Sequence, residues 1–268
     1  MIGFANAKIN IGLRVVGKRS DGYHLLDTVF YPIAWQDSLE ILPAAQLQLD
    51  IEGQQIPGAM EENLCVKAYR LLARDFDIPP VSIYLHKHVP LGAGLGGGSS
   101  NAIQTLRLLN ALFDLQLTET SLFTYALQLG ADCPFFLKNQ PCYGTGIGEI
   151  LQPIPLSLTG YHLVVLKPNV SVSTAQAFAH IKSQEINATS QTIVQKPVEE
   201  WKDWVKNDFE EGIFYQFPAI AAAKDLLYTK GAIFALMSGT GASVYGIFQH
   251  APDLESWQWP FDAYTQAL

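Results

Sequence analysis

From Phe4 to Val16 apolar and polar residues alternate, strictly so between Ala5 and Val15. Ala7, Ile9, Ile11, Leu13 and Val15 fall on one face of a strand, and Lys8, Asn10, Gly12 and Arg14 on the other. A basic turn, GKRSDGYH (Gly17 to His24), leads to a second extended run, DTVFYPIA, and to two more strand-like pieces, SLEIL and LQLDIEG. Asn63 then stands as a cap before a predicted helix through CVKAYRLLARDF. VSIYLHKHV alternates again and reads as a strand running into PLGAGLGGGSSNA, Pro90 to Ala102. Beyond it, Ala102, Ile103, Leu106, Leu109, Leu112 and Phe113 recur at helical spacing. The next helix is expected from about Thr118 to Leu129, stopped by Gly130 as a helix-ending glycine.

From Tyr161 the pattern restarts with a strand, HLVVLKPN, a helix around TAQAFAHI and a polar stretch from Ser183 to Gln195. Helices through EEWKDWVKNDF and PAIAAAKDLLYTKG follow, then two strands, AIFALMSG and ASVYGIF. The tail from Gln249 to Leu268 carries no pattern that assigns it to an element. Strand runs open the chain without regular βα alternation, so the expected class is α+β with two sub-domains, divided near residues 153–161.

Composition narrows the function classes. The 268 residues are 49% hydrophobic and 16% charged, ample for a core. A net charge of -8 argues against a general nucleic-acid binder but leaves a small anionic ligand open. Three cysteines without a CxxC pair or metal-ligand spacing suit a reducing compartment. No secretory leader pattern and no long apolar run is evident, so a cytoplasmic protein without a membrane partner is expected.

The chemistry concentrates in the glycine loop, with Gly92, Gly94, Gly96, Gly97 and Gly98 followed by Ser99 and Ser100. Placed between a strand and a helix start, its amides and the helix's positive end would converge on an anion such as phosphate. Gly92-x-Gly94-x-x-Gly97 formally matches the dinucleotide fingerprint, but two helices follow where a strand ending in an acid is required. A P-loop would need a lysine before Ser99, which is absent. A packing turn and a lysine-free phosphate loop remain.

PLGAGLGGGSSNA is similar to the second motif of the GHMP kinases, which include galactokinase and the homoserine, mevalonate and phosphomevalonate kinases. AKINIGLRVVGKRSDGYH resembles the family's N-terminal substrate strand, and MSGTGASVYGIF its C-terminal glycine-rich turn. LGADCPFF, GIGEIL and KPNVSVSTAQAF extend the likeness, from about Ala5 to Phe248, to the branch acting on 4-diphosphocytidyl-2-C-methyl-D-erythritol in the non-mevalonate isoprenoid route. The resemblance implies a GHMP kinase fold with a ribosomal-protein-S5-like sub-domain at residues 1–156 and a ferredoxin-like α/β sub-domain at 157–268, the active site in the cleft between them. It also implies ATP as co-substrate with Mg²⁺ carried on it, and a monomer or weak homodimer is expected; no acidic cluster in the chain has the look of a dedicated metal cage, so no metal ligands are assigned. The alternatives are another small-molecule kinase of the family, such as a homoserine kinase, or a catalytically silent nucleotide sensor.

Residue by residue, each implied role has a structural competitor. Lys8 and Asn10 suit a solvated sheet face; the resemblance sets Lys8 beside the reacting groups and Asn10 at the substrate. Asp132 suits a helix N-cap before Pro134; the resemblance makes it the general base. Tyr23 and His24 fit a hairpin turn and Phe178 a helix core, whereas the resemblance makes Tyr23 and Phe178 plates around cytosine and His24 the reader of its edge. Phe30 and Thr174 are assigned near the same substrate, and Thr240 and Gly241 close over the acceptor. Gly92 through Ser100 take the triphosphate, and Asn63 and Lys87 are candidates for the adenine end, against a helix cap and an ordinary strand lysine. His86, His88 and the cysteines are expected to be structural.

Overall fold

The computed structural model describes residues 1–179, 181, 183, 185–257 and 262–268. In chain order the first half holds β1 (Ile2–Lys18), β2 (His24–Pro43), β3 (Gln48–Gly53), α1 (Leu64–Asp75), β4 (Val81–Lys87), α2 (Gly97–Leu112), α3 (Glu119–Leu129) and α4 (Cys133–Lys138). The second holds β5 (Cys142–Thr145), β6 (Ile150–Pro153), β7 (His162–Lys167), α5 (Thr174–Phe178), α6 (Ser190–Ile193), α7 (Trp201–Trp204), α8 (Glu210–Gln216), α9 (Pro218–Thr229), β8 (Phe234–Met237), β9 (Val244–Phe248) and β10 (Asp262–Ala267). The expected α+β class stands.

The chain forms two units that interleave along the sequence. One comprises Met1–Lys8, Pro32–Leu91 and Gly96–Gln140; the other Ile9–Tyr31, Gly92–Leu95 and Pro141–Leu268. In the first unit, β4 lies between the antiparallel second half of β2 and parallel β3. Val81, Ile83, Leu85 and Lys87 point inward along β4, while Tyr84 and His86 face out. α1 and α2 pack together and α3 and α4 pack against α2. Ile103, Leu106 and Leu109 of α2 are fully buried, each worth about 1.5–3 kcal/mol relative to exposure.

The second unit is built on an antiparallel sheet in the order β10-β7-β9-β8. β7 and β9, inside that sheet, are buried almost end to end, as strands covered on both faces must be. α9 packs on this sheet, and its buried Ile220 and Leu227 join Val164, Leu166 and Met237 in one core. The first half of β2 pairs with β5, and β5 with β6.

Several expectations change. DTVFYPIA and SLEIL form one strand, β2, because its intervening Asp37 is buried rather than turned out to solvent. The competing reading of Lys8 and Asn10 as a solvated sheet face is not met: Lys8 is 3% and Asn10 2% exposed. α2 begins at Gly97, inside the glycine loop, five residues before its first apolar position. α3 ends at Gly130 with φ 162°, an extended conformation open to any residue, so glycine is not required there by a left-handed cap. EEWKDWVKNDF breaks after Trp204, where Val205 turns extended. The tail supplies an edge strand, β10 on β7. The helix expected through TAQAFAHI is seen over Thr174–Phe178, and His180 lies outside the described residues.

Candidate active site

In the first unit the site grows from the start of α2. Gly96 caps the helix in the left-handed region, φ 70°, and its carbonyl accepts the Ser100 N–H at 3.0 Å, the first turn's bond. The N–H groups of such a first turn lack intrahelical acceptors and carry the positive end of the helix dipole, a ready anion site. A Cβ on Gly96 would fall 2.8 Å from Phe136 Cζ and 3.1 Å from Lys8 Cε. One on Gly97 would fall 2.9 Å from Lys87 Nζ. Gly98 alone of the three meets only an ordinary contact, Leu64 Cδ1 at 3.6 Å. Packing therefore explains Gly96 and Gly97, while Gly98 has no packing need. Ser99 is half-buried against the Cys133 thiol and Ser100 is buried.

Lys8 and Asp132 meet beside this helix start, Nζ to Oδ2 at 3.3 Å, with Lys8 3% and Asp132 36% exposed. Asp132 occupies the N-cap position of α4, yet its side chain makes no capping bond and its backbone is helical, φ -80° and ψ -16°. The competing role as a simple cap is thus not realised; the carboxylate is turned to Lys8. Burial pushes the neighbouring Cys133 thiol up to about 12, so it stays protonated, and Cys65 is likewise pushed up to about 11.

Lys87 and Asn63 divide. Asn63 caps α1, its Oδ1 accepting from Cys65 N at 2.9 Å. Lys87 is 1% exposed and its ammonium bonds Asp37, which is 0% exposed. Assigning Lys87 to adenine is therefore corrected: its inward register on β4 sends the ammonium into the core, under Gly97. Burial pushes that ammonium's pKa down against the pull of Asp37. Asp37 was missed altogether, although it shares the parity of Leu39 and Ile41 on β2, a signal of an inward position.

In the second unit the two glycine-rich segments bond directly. Gly92 O accepts from Ala242 N and Ala93 O from Ser243 N, both at 3.1 Å. Ser238 Oγ donates to Gly94 O at 2.9 Å and accepts from Asn10 N at 3.2 Å. Asn207, not singled out from the sequence, clamps the second turn by donating Nδ2 to Met237 O and Gly239 O, both at 2.8 Å. Asn10 spends its side chain on Thr28 Oγ1 at 2.9 Å. Thr240 is half-buried, Gly241 is buried with its N–H on Ser238 O at 3.0 Å, and Gly92 is exposed beside Ser171.

The same unit brings together two of the aromatic candidates. His24 stacks on Phe178 with ring centres 4.9 Å apart and planes at 25°, and Phe178 meets Phe209 edge-on at 4.8 Å. Burial, then the Lys18 charge, holds His24 below its ordinary 6.5. Tyr23 is 59% exposed on its turn, whereas Phe30 is 2% exposed and covers Gly144, where a Cβ would lie 2.5 Å from its ring. The assignment of Phe30 to the substrate is therefore corrected to a core position. Thr174 is exposed in the first turn of α5, behind the Ser173 cap. Among the described residues no group of three or more His, Cys, Asp or Glu could hold a metal ion, and no helix is long and apolar enough to cross a membrane.

Comparison with known proteins identifies the family. Residues 63–140 match the family model "GHMP kinases N terminal domain" and residues 191–256 match "GHMP kinases C terminal". The chain is 52% identical over 252 residues to 4-diphosphocytidyl-2-C-methyl-D-erythritol kinase of Bacteroides fragilis, covering 92% of each chain. It is 49% identical to the enzyme of that name from Bacteroides thetaiotaomicron, covering 97% of this chain and 96% of the relative. A crystal structure of 4-(cytidine 5'-diphospho)-2C-methyl-D-erythritol kinase superposes with a TM-score of 0.82 at 32% identity, covering 99% of this chain and 98% of that one. With both family models matched and likeness extending over nearly its whole length, the chain belongs to the GHMP kinases, ATP-dependent enzymes that phosphorylate small molecules.

Proposed function

We propose that this kinase transfers the γ-phosphoryl group of ATP to the 2-hydroxyl of 4-diphosphocytidyl-2-C-methyl-D-erythritol, a step in making isoprenoid precursors. The substrate follows the names of its relatives at 49% and 52% identity. The observation that carries the chemistry is the turning of Asp132 from its cap to Lys8, beside the first turn of α2.

Asp132 takes the proton of the acceptor hydroxyl as its oxygen attacks the γ-phosphorus. The bond from that phosphorus to the β,γ-bridging oxygen breaks, and ADP leaves. Lys8 holds the carboxylate in place through its 3.3 Å contact, and offsets charge on the transferring group. A positioned base contributes about 10²–10⁴-fold, so alignment and electrostatics supply most of the acceleration. The amides of Gly97, Gly98 and Ser99, with the Ser99 and Ser100 hydroxyls, take the triphosphate; Gly92 and Gly94 serve by packing. Mg²⁺ carried on ATP would neutralise its phosphates. Asn63 is kept at the adenine end, and Thr174, Thr240 and Gly241 at the acceptor.

Cytosine lies between Tyr23 and Phe178. His24 leaves the face of Phe178 to admit it and turns a ring nitrogen to the base's polar edge. The family's two domains divide at residues 156/157. Coupled ADP release tests this reading, with ATP, Mg²⁺ and either the cytidyl acceptor, the acceptor lacking cytosine, homoserine or mevalonate. Turnover confined to the cytidyl compound supports it. Turnover of homoserine or another alcohol instead overturns the cytosine assignment, and nucleotide binding without turnover makes the chain a sensor.

A further inference from the structure

Asp37 stands at the centre of a buried polar knot that the proposed chemistry does not use. Its carboxylate is 0% exposed and receives four donors: Lys87 Nζ, His88 N at 2.7 Å, Val89 N at 2.8 Å and Asn101 Nδ2 at 2.9 Å. These donors lie on both flanks of the glycine loop. His88 and Val89 are its entrance, and Asn101 is on α2 just beyond its exit. Lys87 Nζ, held by Asp37, also sits directly under Gly97, where a Cβ would come within 2.9 Å.

A segment with glycine at 92, 94, 96, 97 and 98 has the greatest backbone freedom of any in the chain, and ordering it on a ligand costs binding energy. Fixing both ends removes part of that cost before the ligand arrives. A buried ion pair is by itself weak evidence for stability, because desolvation offsets the attraction and apolar replacements of similar volume are often neutral or better. The two consecutive backbone N–H groups and the Asn101 amide are what an apolar pair could not satisfy. We infer that Asp37 is a positioning residue for ATP: through Lys87, His88, Val89 and Asn101 it pre-sets the ends of the phosphate loop and the first turn of α2. This rests on the reading that the triphosphate binds there.

The test measures binding of ATP and of the non-hydrolysable adenylyl-imidodiphosphate by calorimetry, with kinetics on both substrates and thermal unfolding alongside. Asp37→Asn leaves Lys87 and Asn101 facing an amide nitrogen. It is expected to weaken nucleotide binding about tenfold or more, raising the KM for ATP while the KM for the acceptor stays within about twofold. Asn101→Ala, which keeps the ion pair, is expected to weaken nucleotide binding about threefold to tenfold. It keeps the test decisive if Asp37→Asn does not fold. The double variant Asp37→Leu/Lys87→Met separates positioning from the buried charge: it should melt above Asp37→Leu, which strands the ammonium, and still lose nucleotide affinity, because His88 N, Val89 N and the Asn101 amide stay without their acceptor. Nucleotide binding like wild type in Asn101→Ala and in the double variant, whatever their melting temperatures, overturns the inference alone. A wild-type protein that binds no nucleotide overturns the kinase reading and the inference with it.

Discussion

Ser238 and Gly94 touch through side chain and backbone at once. The Ser238 hydroxyl donates to the Gly94 carbonyl at 2.9 Å, and a Cβ on Gly94 would lie 2.0 Å from the Ser238 carbonyl oxygen. Gly94 also has φ +72°, where a side chain is strained. The Gly92–Leu95 stretch and the Ser238–Ala242 turn thereby meet backbone to backbone within their unit, and Ser238 passes the contact on to Asn10 N at 3.2 Å.

Gly94→Ala is therefore expected to lower stability by at least about 2 kcal/mol, from strain and collision together. Gly98→Ala behaves oppositely. It lies in α2 with only an ordinary contact, so stability should hold or rise by up to about 1 kcal/mol. If the triphosphate lies against this turn, Gly98→Ala nevertheless raises the KM for ATP. Denaturant unfolding and steady-state kinetics on the two variants read both effects; an unchanged KM in Gly98→Ala removes the ligand from that amide.

Asn207 is the clamp on the second turn. Its Nδ2 faces two carbonyls at 2.8 Å and its Oδ1 accepts Phe209 N at 3.0 Å, all with the residue 5% exposed. Asn207→Asp sets an oxygen against two oxygens and should cost about 3 kcal/mol or more; Asn207→Ala, which leaves the partners unpaired without repulsion, about 2 kcal/mol. Urea unfolding of the pair checks the order, and equal losses would refute the clamp.

What the sequence yields and what it hides divide along one physical line. Alternation along β4 and the 3.6-residue recurrence along α2 report apolar burial, so those elements are legible. Polar residues buried for hydrogen bonding break the same signals. Asp37 falls in the gap between two predicted strands, Lys87 stands as an adenine candidate or an ordinary strand lysine, and Asn207 gives no signal, because a single polar letter carries no partner. Parity would have recovered Asp37 and Lys87, each in step with the apolar positions of its strand. The Asp132–Lys8 pairing spans 124 positions, so only family resemblance could join them before the fold was seen.

Asp132→Asn probes the base. The pair with Lys8 is 3.3 Å long and Asp132 is 36% exposed, with no capping bond to lose. Only the Asp132 end of the pair is open to solvent and Lys8 is buried, so loss of the carboxylate's charge should cost about 1–3 kcal/mol. The kcat should fall about 10²–10⁴-fold, with the KM for ATP little altered. Single-turnover kinetics beside a melting curve decide the matter: a fall in kcat that merely follows loss of folded protein contradicts the assignment.

If cytosine lies against His24 as proposed, the His24–Phe178 stack gives acceptor binding a pH dependence. Burial and Lys18 hold His24 below 6.5, so near neutrality its ring is uncharged and keeps one acceptor nitrogen for the amino group of cytosine. As pH falls through the lowered value the ring protonates and that acceptor is lost, so the KM for the cytidyl acceptor should rise in acid while the KM for ATP does not follow it. The linkage to stability has the same sign: a depressed folded pKa favours the fold above the unfolded value of about 6.5, and that contribution is lost as pH falls. Lys18→Gln removes the like charge and should move the inflection upward toward 6.5. Phe178→Ala, which deletes the stacking partner, should raise the acceptor KM about 5- to 100-fold at every pH. Acceptor KM profiles of the wild type, Lys18→Gln, Phe178→Ala and His24→Gln between pH 5 and about 8 test all three together. An inflection that persists in His24→Gln would assign the titration to another group and remove His24 from the recognition of the base.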